Sequence, residues 1–361
     1  MPTLYVTEPG AQVCKADERL IVKKGDEILE EIPIIKVDQV VLMGRGVSLT
    51  TAAMFALTRR GVDVVYLTGA GRYISRVVGQ EHKHGKLRHR QALVSADPSF
   101  TLHAARSIVR GKVLNQRTLV QRHAERATWA GRALAGMDEM ARRADEARNL
   151  EELRGLEGQA AKEYFSLFRR LLRTPSGGGS WGFERRAYYP PTDPINALLS
   201  FSYSMLLRDM TTACALIGLD PYLGFFHAID YGRPSMALDL MEEFRPVIAD
   251  SIVLEAANRP YVSLDDFEAV DLTESEEDRD PQETPRASKQ AVYLNTAGRN
   301  RLIQLYEKRV NEITVRTSGG EQASYRHVFQ LQAQQMARLI TSTSLSAGLG
   351  ETRQYVPFTI R

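Results

Sequence analysis

Four side chains in this sequence have the type and spacing to act together on a phosphate or a metal ion. Glu157 sits in a stretch of helical period whose apolar residues include Leu153, Leu156, Ala160, Ala161, Tyr164, Phe165 and Phe168. It shares a stripe with Ala161, Tyr164 and Phe168, so its carboxylate faces inward. An inward carboxylate needs a cation, hydrogen-bond donors or a metal ion. The plainest partner is an arginine, Arg154 or one further away. His227 follows the apolar run 219–226, and a histidine so placed is either a satisfied core residue or a ligand. Asp239 and Glu242 are three apart and share a helix face, which Glu243 can also join. Acids this close repel one another, and either solvent or a bound cation relieves the repulsion.

Glu157, His227 and Glu242, with Asp239 beside them, make a carboxylate-rich set with one imidazole. Oxygen donors suit Mg²⁺ and Mn²⁺, and the imidazole makes Mn²⁺ the more comfortable ion. Three protein ligands would leave positions open for water and phosphate oxygens. Cys14 and Cys214 fit neither a zinc pattern nor a disulfide framework, and a reducing cytoplasm is the simplest home for them. The start of the chain lacks a basic segment followed by an apolar run, so no secretory signal is expected. No apolar stretch approaches the ~20 residues of a membrane-spanning helix.

The elements that must carry these residues divide the 361-residue chain in two. Residues 1–95 read as a small β-rich domain, with strands expected at 4–7, 19–24, 39–43, 63–68 and 73–78. One short helix, capped by Thr50, carries Ala53, Phe55, Ala56 and Leu57. From Asp97-Pro98 onward the period is helical, so residues 96–361 are expected to form a larger all-α domain. The fold class is therefore α+β in two domains. Helices are expected at 99–127, 131–146, 150–173, 194–217, 235–257, 296–313 and 325–343. Asp193, Pro194 and Gly218 mark the ends of the fourth. The segment 271–288 is acidic and poor in apolar residues and reads as a mobile surface insertion.

Net charge is only +3, yet basic residues cluster at 82–90 and along 106–126. Such clusters suit a polyanion-binding face, or simply a solvated helix face. The candidate phosphate contacts are Lys83, Lys86, Arg88 and Arg90, with Arg185 and Arg186 beside Tyr188 and Tyr189. Arginine with tyrosine can grip a backbone and stack a terminal base, although a tyrosine pair can equally pack a loop against the core. No Gly-x-x-x-x-Gly-Lys-Ser/Thr loop is present for nucleotide phosphates.

Four segments, in this order, resemble signatures of the CRISPR-associated protein one family. They are Arg154-Gly155-Leu156-Glu157-Gly158, Asp193 to Phe201, Gly218 to His227, and Ser235 to Pro246. The resemblance covers residues 1 to about 310. It implies an N-terminal β-domain joined to a helical catalytic domain, and a homodimer that assembles with CRISPR-associated protein two and leaves room for a processing nuclease. It implies a metal-dependent endonuclease and integrase of the prokaryotic cytoplasm, which inserts captured double-stranded DNA with 3′ ends into CRISPR repeat DNA. The implied reaction is transesterification: a 3′-hydroxyl attacks a repeat phosphodiester with Mg²⁺ or Mn²⁺ as cofactor. By this resemblance Glu157, His227 and Glu242 match the metal-binding positions and Asp239 matches a supporting acid of the catalytic set. His227 could instead serve as a general acid or base. Glu243 has no match and is expected on the surface, or supporting the site from outside it. Alternatives from other classes are a non-catalytic DNA-binding scaffold and a structure-selective repair nuclease.

Overall fold

The computed structural model describes residues 3–69, 71, 73–77, 84–124, 127–175, 177–187, 190–271, 290–317, 320–342 and 354–360. The N-terminal part holds β1 Thr3–Val6, β2 Gln12–Ala16, β3 Arg19–Lys24, β4 Glu27–Pro33, β5 Gln39–Met43 and β6 Ser48–Leu49, then α1 Thr51–Arg59, β7 Asp63–Leu67 and β8 Tyr73–Val77. β1, β5 and β7 pair in parallel and β8 joins antiparallel, giving the order β1-β5-β7-β8. A second sheet runs β4-β3-β2-β6. β2 and β4 escape sequence reading because neither alternates cleanly. β4 is an edge strand with its first five residues exposed, so burial imposes no period on it.

The parallel strands are apolar on both faces because both faces are covered. Val40, Leu42 and Val64 enter the core of the small part, while Val41, Met43, Val65 and Leu67 enter the helical core. This sheet is therefore the wall between two cores.

The helical part comprises α2 Gly85–Ser95, α3 Pro98–Ala124, α4 Ala130–Glu146, α5 Leu150–Leu171, α6 Pro194–Ile217, α7 Ser235–Met241, α8 Ser251–Asn258, the strands β9 Phe267–Asp271 and β10 Gln290–Leu294, α9 Thr296–Asn311, the strands β11 Thr314–Arg316 and β12 Gln322–Ser324, and α10 Tyr325–Ser342. Two short antiparallel ladders, β9 with β10 and β11 with β12, thus interrupt the expected all-α region. The acidic 271–288 segment lies, apart from Asp271 at the end of β9, outside the described residues. α2 was not expected as a helix. It is tied to the helical part by Gln91, whose amide donates to the carbonyls of Asp220 and Leu223 at 2.8 Å.

The caps read from sequence are present. Thr50 accepts from Ala53 N and Asp193 from Asn196 N, and Gly218 ends α6 with φ of 90°. The expected single helix 235–257 is instead broken. After α7 comes a 3₁₀ turn, Glu242–Phe244, then a π-helical turn, Arg245–Asp250, before α8. Pro246 lacks an N–H and its ring crowds the preceding turn, so the regular ladder cannot run through it. The break falls immediately after Met241, so that Glu242 is the first residue of the 3₁₀ turn. Such shifts of hydrogen-bond register commonly re-aim side chains at functional sites.

A buried polar cluster joins the two parts. Tyr5 of β1 donates to Glu307 at 2.6 Å and accepts from Arg208 at 2.7 Å. Arg208 and Arg326 both pair with Asp209. Burying charge demands this pairing, and it anchors β1 to α6, α9 and α10.

Candidate active site

α5 starts at Asn149, whose side chain accepts from Glu152 N at 2.8 Å. Its inner stripe, with Leu153, Leu156, Ala160, Tyr164 and Phe168 buried, turns Glu157 toward a polar cavity of ≈ 590 Å³. Glu242 reaches the same cavity from the 3₁₀ turn, and His227 from the loop between α6 and α7. Three of the four candidate residues therefore share one cavity.

The partner of Glu157 is Lys112 of α3, not Arg154. Lys112 Nζ lies 2.5 Å from Glu157 Oε1 and 2.6 Å from Glu242 Oε2. Among the described residues it is the one buried lysine, 9% exposed. Burial favours its neutral form, but Glu242 and then Glu157 outweigh that and hold its pKa well above the ordinary lysine range. Burial likewise pushes the Glu242 carboxyl up, but Arg245, Lys112 and His227 together bring it down to about 2. Arg245 Nε stands 3.0 Å from Glu242 Oε1, and its guanidinium lies 4.6 Å from the centre of the Tyr203 ring. Arg154 meanwhile donates to the carbonyl of Phe226 at 2.9 Å and pins the loop that carries His227.

Asp239 does not line the cavity. It is wholly buried on α7 and accepts the backbone N–H groups of Phe225 at 2.5 Å, Phe226 at 3.0 Å and His227 at 2.9 Å. A side chain at Gly224 would collide with Ser235 and Asp239, so the loop can approach α7 this closely only with glycine there. Asp239 Oδ1 is also 2.7 Å from His227 Nδ1. A carboxylate only accepts, so the imidazole carries a proton on Nδ1. Nε2 faces the cavity, 3.6 Å from Glu242 Oε1.

Among the described residues, no three His, Cys, Asp or Glu side chains are drawn together closely enough to hold an ion. By type, though not by spacing, the donors suit a divalent ion. The Glu157 and Glu242 carboxylates already share a cation, the Lys112 ammonium, and His227 Nε2 lies beside Glu242. Oxygen donors with one nitrogen suit Mg²⁺ or Mn²⁺.

Glu243 faces away from the cavity. It is 1% exposed and accepts from Gln332, Tyr355 and the N–H of Phe358. Burial pushes its carboxyl up to about 8, against the pull of these hydrogen bonds. The expectation of a surface position does not hold for it. Asp250, on the cavity wall, accepts from Tyr164 at 2.7 Å and Tyr203 at 2.6 Å. Burial raises its carboxyl to about 6, despite those two hydrogen bonds.

Of the expected phosphate contacts, Arg186 lines the cavity, but Lys86, Arg88, Arg90 and Arg185 do not. Arg186 donates to Asn196 Oδ1 at 2.9 Å and to Ser200 Oγ at 3.1 Å. Asn196 also donates to Asp193 and to the carbonyl of Arg185, so the Asp193–Asn196 pair folds the preceding loop onto α6. Lys86 is exposed and Arg88 and Arg90 half-buried on α2. Lys83, Tyr188 and Tyr189 lie outside the described residues. Sequence reading missed Lys112, Asp250, Tyr203 and Arg245 as cavity residues. A signal for Lys112 existed, since it shares a stripe with Ile108 and Val109 at helical spacing.

The sequence model of the family described as CRISPR associated protein Cas1 matches residues 4–308. The chain belongs to the Cas1 family. It is 33% identical over 360 residues to CRISPR-associated endonuclease Cas1 3 of Thermus thermophilus, covering 99% of this chain and 97% of that one. It is 35% identical to a CRISPR-associated exonuclease Cas4/endonuclease Cas1 fusion of Geobacter sulfurreducens, covering 94% of this chain and 58% of the fusion. Two solved structures share the fold. A Cas1 protein from Thermotoga maritima gives a TM-score of 0.76 at 21% identity, covering 95% of this chain and 98% of that one. A casposase bound to integration product gives 0.80 at 18% identity, covering 100% and 95%. A β-rich N-terminal part followed by a largely helical one is thus the architecture this Cas1 chain shares with them. No helix among the described residues is long and apolar enough to cross a membrane.

Proposed function

We propose that this Cas1 chain is a divalent-metal-dependent DNA endonuclease and strand-transfer integrase that inserts captured DNA fragments into a CRISPR array. The observation that carries the reading is the meeting of Glu157, Glu242 and His227 in one polar cavity, where the two carboxylates share the buried Lys112 ammonium. Family membership and the endonuclease names of its relatives supply the chemistry to weigh against that geometry.

Glu157, Glu242 and His227 would hold Mg²⁺ or Mn²⁺. Once bound, the ion neutralises charge on the phosphate under attack and lowers the pKa of the attacking hydroxyl. The chain's own residues do the rest. Asp239 fixes the tautomer and direction of His227 and so acts as a positioning residue. Arg245 keeps Glu242 ionised. Lys112, held between the two carboxylates, would offer its ammonium to a phosphate oxygen. A 3′-hydroxyl as nucleophile gives joining and water gives cutting. One phosphodiester breaks as another forms, so no nucleotide is consumed.

Residues 1–95 would supply dimer and partner contacts, and 96–361 the chemistry. A Cas6-RT-Cas1–Cas2 complex among the structural neighbours supports Cas2 as a partner, and the family resemblance implies a homodimer. The Cas4 fusions among the relatives support a processing nuclease. Lys83, Lys86, Arg88 and Arg90 would hold DNA by its phosphates. Alanine at Lys83, Lys86, Arg88 and Arg90 should flatten the salt dependence of DNA binding, and an unchanged slope excludes those contacts.

The deciding experiment is strand transfer of labelled DNA into a supercoiled plasmid bearing a repeat array, with the small partner present, in Mg²⁺, Mn²⁺ or EDTA. Metal-dependent joining that is lost in Glu157→Ala is the expected result. DNA binding without joining in any metal, unchanged in the variant, refutes it.

A further inference from the structure

The segment 354–360 lies beyond the family match, which ends at residue 308, yet it packs directly behind the cavity. Tyr355 donates to Glu243 Oε1 at 2.9 Å, and the N–H of Phe358 donates to Glu243 Oε2 at 2.8 Å. Asn115 of α3, wholly buried, ties the same parts together. Its amide donates to the carbonyls of Glu243 at 2.7 Å and Phe358 at 2.8 Å, and its oxygen accepts from Ile360 N at 2.9 Å. The Phe358 ring stacks on Phe244, with centroids 5.4 Å apart and planes 17° from parallel. Pro357 rests on Gly111, where even a methyl group would strike it.

The residues gripped are immediate neighbours of the cavity residues. Gly111 precedes Lys112, and Glu243 follows Glu242. The 3₁₀ and π-helical turns after Met241 lack the regular ladder that would hold Glu242 in place from within. The strap provides that hold from outside by clamping the broken turn onto α3.

We propose that residues 354–360 form a strap whose role is to position Glu242 against Lys112 and Glu157, so that the grip of Glu243, Asn115 and Phe358 sets the affinity of the site for its divalent ion. This rests on the assignment of Glu157, His227 and Glu242 as the metal-holding set. Supporting groups outside a metal's own ligands typically change affinity by about 10–100-fold when removed.

The test is Mn²⁺ binding to the full chain, measured by the resonance of free Mn²⁺, below the melting temperature of each variant. In Gly111→Ala the new methyl displaces Pro357 while favouring the α3 helix itself. It should weaken Mn²⁺ binding about tenfold or more with unchanged helical circular dichroism. Adding Pro357→Gly removes the atoms that the methyl strikes and should restore binding. Phe358→Ala, which only empties the stack, should weaken binding if Gly111→Ala fails to fold. Glu157→Ala separates the two readings. If it is weakened while Gly111→Ala and Phe358→Ala bind like wild type, or if Pro357→Gly restores nothing, the strap proposal is overturned. If Glu157→Ala binds like wild type, the metal assignment falls and takes the strap's role with it.

Discussion

Replacing Lys112 by methionine keeps the apolar stem of the side chain and removes the ammonium. The ammonium stands 2.5 Å from Glu157 and 2.6 Å from Glu242, whose side chains are 21% and 3% exposed. Stripping one partner from a fully buried pair costs about 3–5 kcal/mol. Here Glu242 keeps Arg245 and His227 nearby, and Glu157 reaches solvent, so a loss of about 2–4 kcal/mol is expected. The entropy of unfolding of a 361-residue chain is about 0.76 kcal/mol per kelvin if it melts as one unit. Lys112→Met should therefore melt about 3–5 °C below wild type in EDTA. A divalent ion supplies the missing charge, and an ion at a hundred times its Kd stabilises by about 2.7 kcal/mol. In the wild type the ion must first displace the ammonium, whereas in the variant it meets two unpaired carboxylates. Saturating Mn²⁺ should thus raise the variant's Tm more than the wild type's and close most of the gap. A calorimetric scan with and without Mn²⁺ reads both quantities. A variant that melts with wild type in EDTA, or a gap that Mn²⁺ leaves unchanged, refutes the idea that Lys112 and the ion serve the same carboxylates.

His227→Ala should lose about 100-fold in activity at low Mn²⁺ and recover much of it at high Mn²⁺; an unchanged metal dependence with an altered pH profile would make His227 a proton carrier instead. Asp250 is buried with a folded pKa raised from 3.8 to about 6, so the folded chain holds that proton more tightly than the unfolded chain does. Its contribution lowers stability as pH rises from about 4 to about 6, by about 3 kcal/mol in all. Asp250→Asn should remove this fall, so the variant's stability relative to wild type climbs across that window in urea melts; a constant difference between pH 4 and 7 contradicts the raised pKa.

What local pattern could carry was legible in the sequence. The stripe that turns Glu157 inward, the Asp193 and Thr50 caps, the Gly218 stop and the buried strands all depend on residues within a few positions of one another, where periodicity and capping act. The family signatures added which of the inward groups to group together. What only the tertiary structure decided depends on pairings far apart in the chain. Lys112 reads as one more basic residue on a helix until α3 lies against α5 and the 242–244 turn. Glu243 reads as a surface acid or one supporting the site from outside it until Tyr355 and Phe358 return to cover it. The break after Met241 arises where Pro246 forbids a continuous ladder in a segment whose apolar pattern alone reads as one helix. β4 shows no pattern because its first five residues are exposed. A charge is costly inside a protein wherever it lies in sequence, so its partner can come from any distance, and no local spacing records which one.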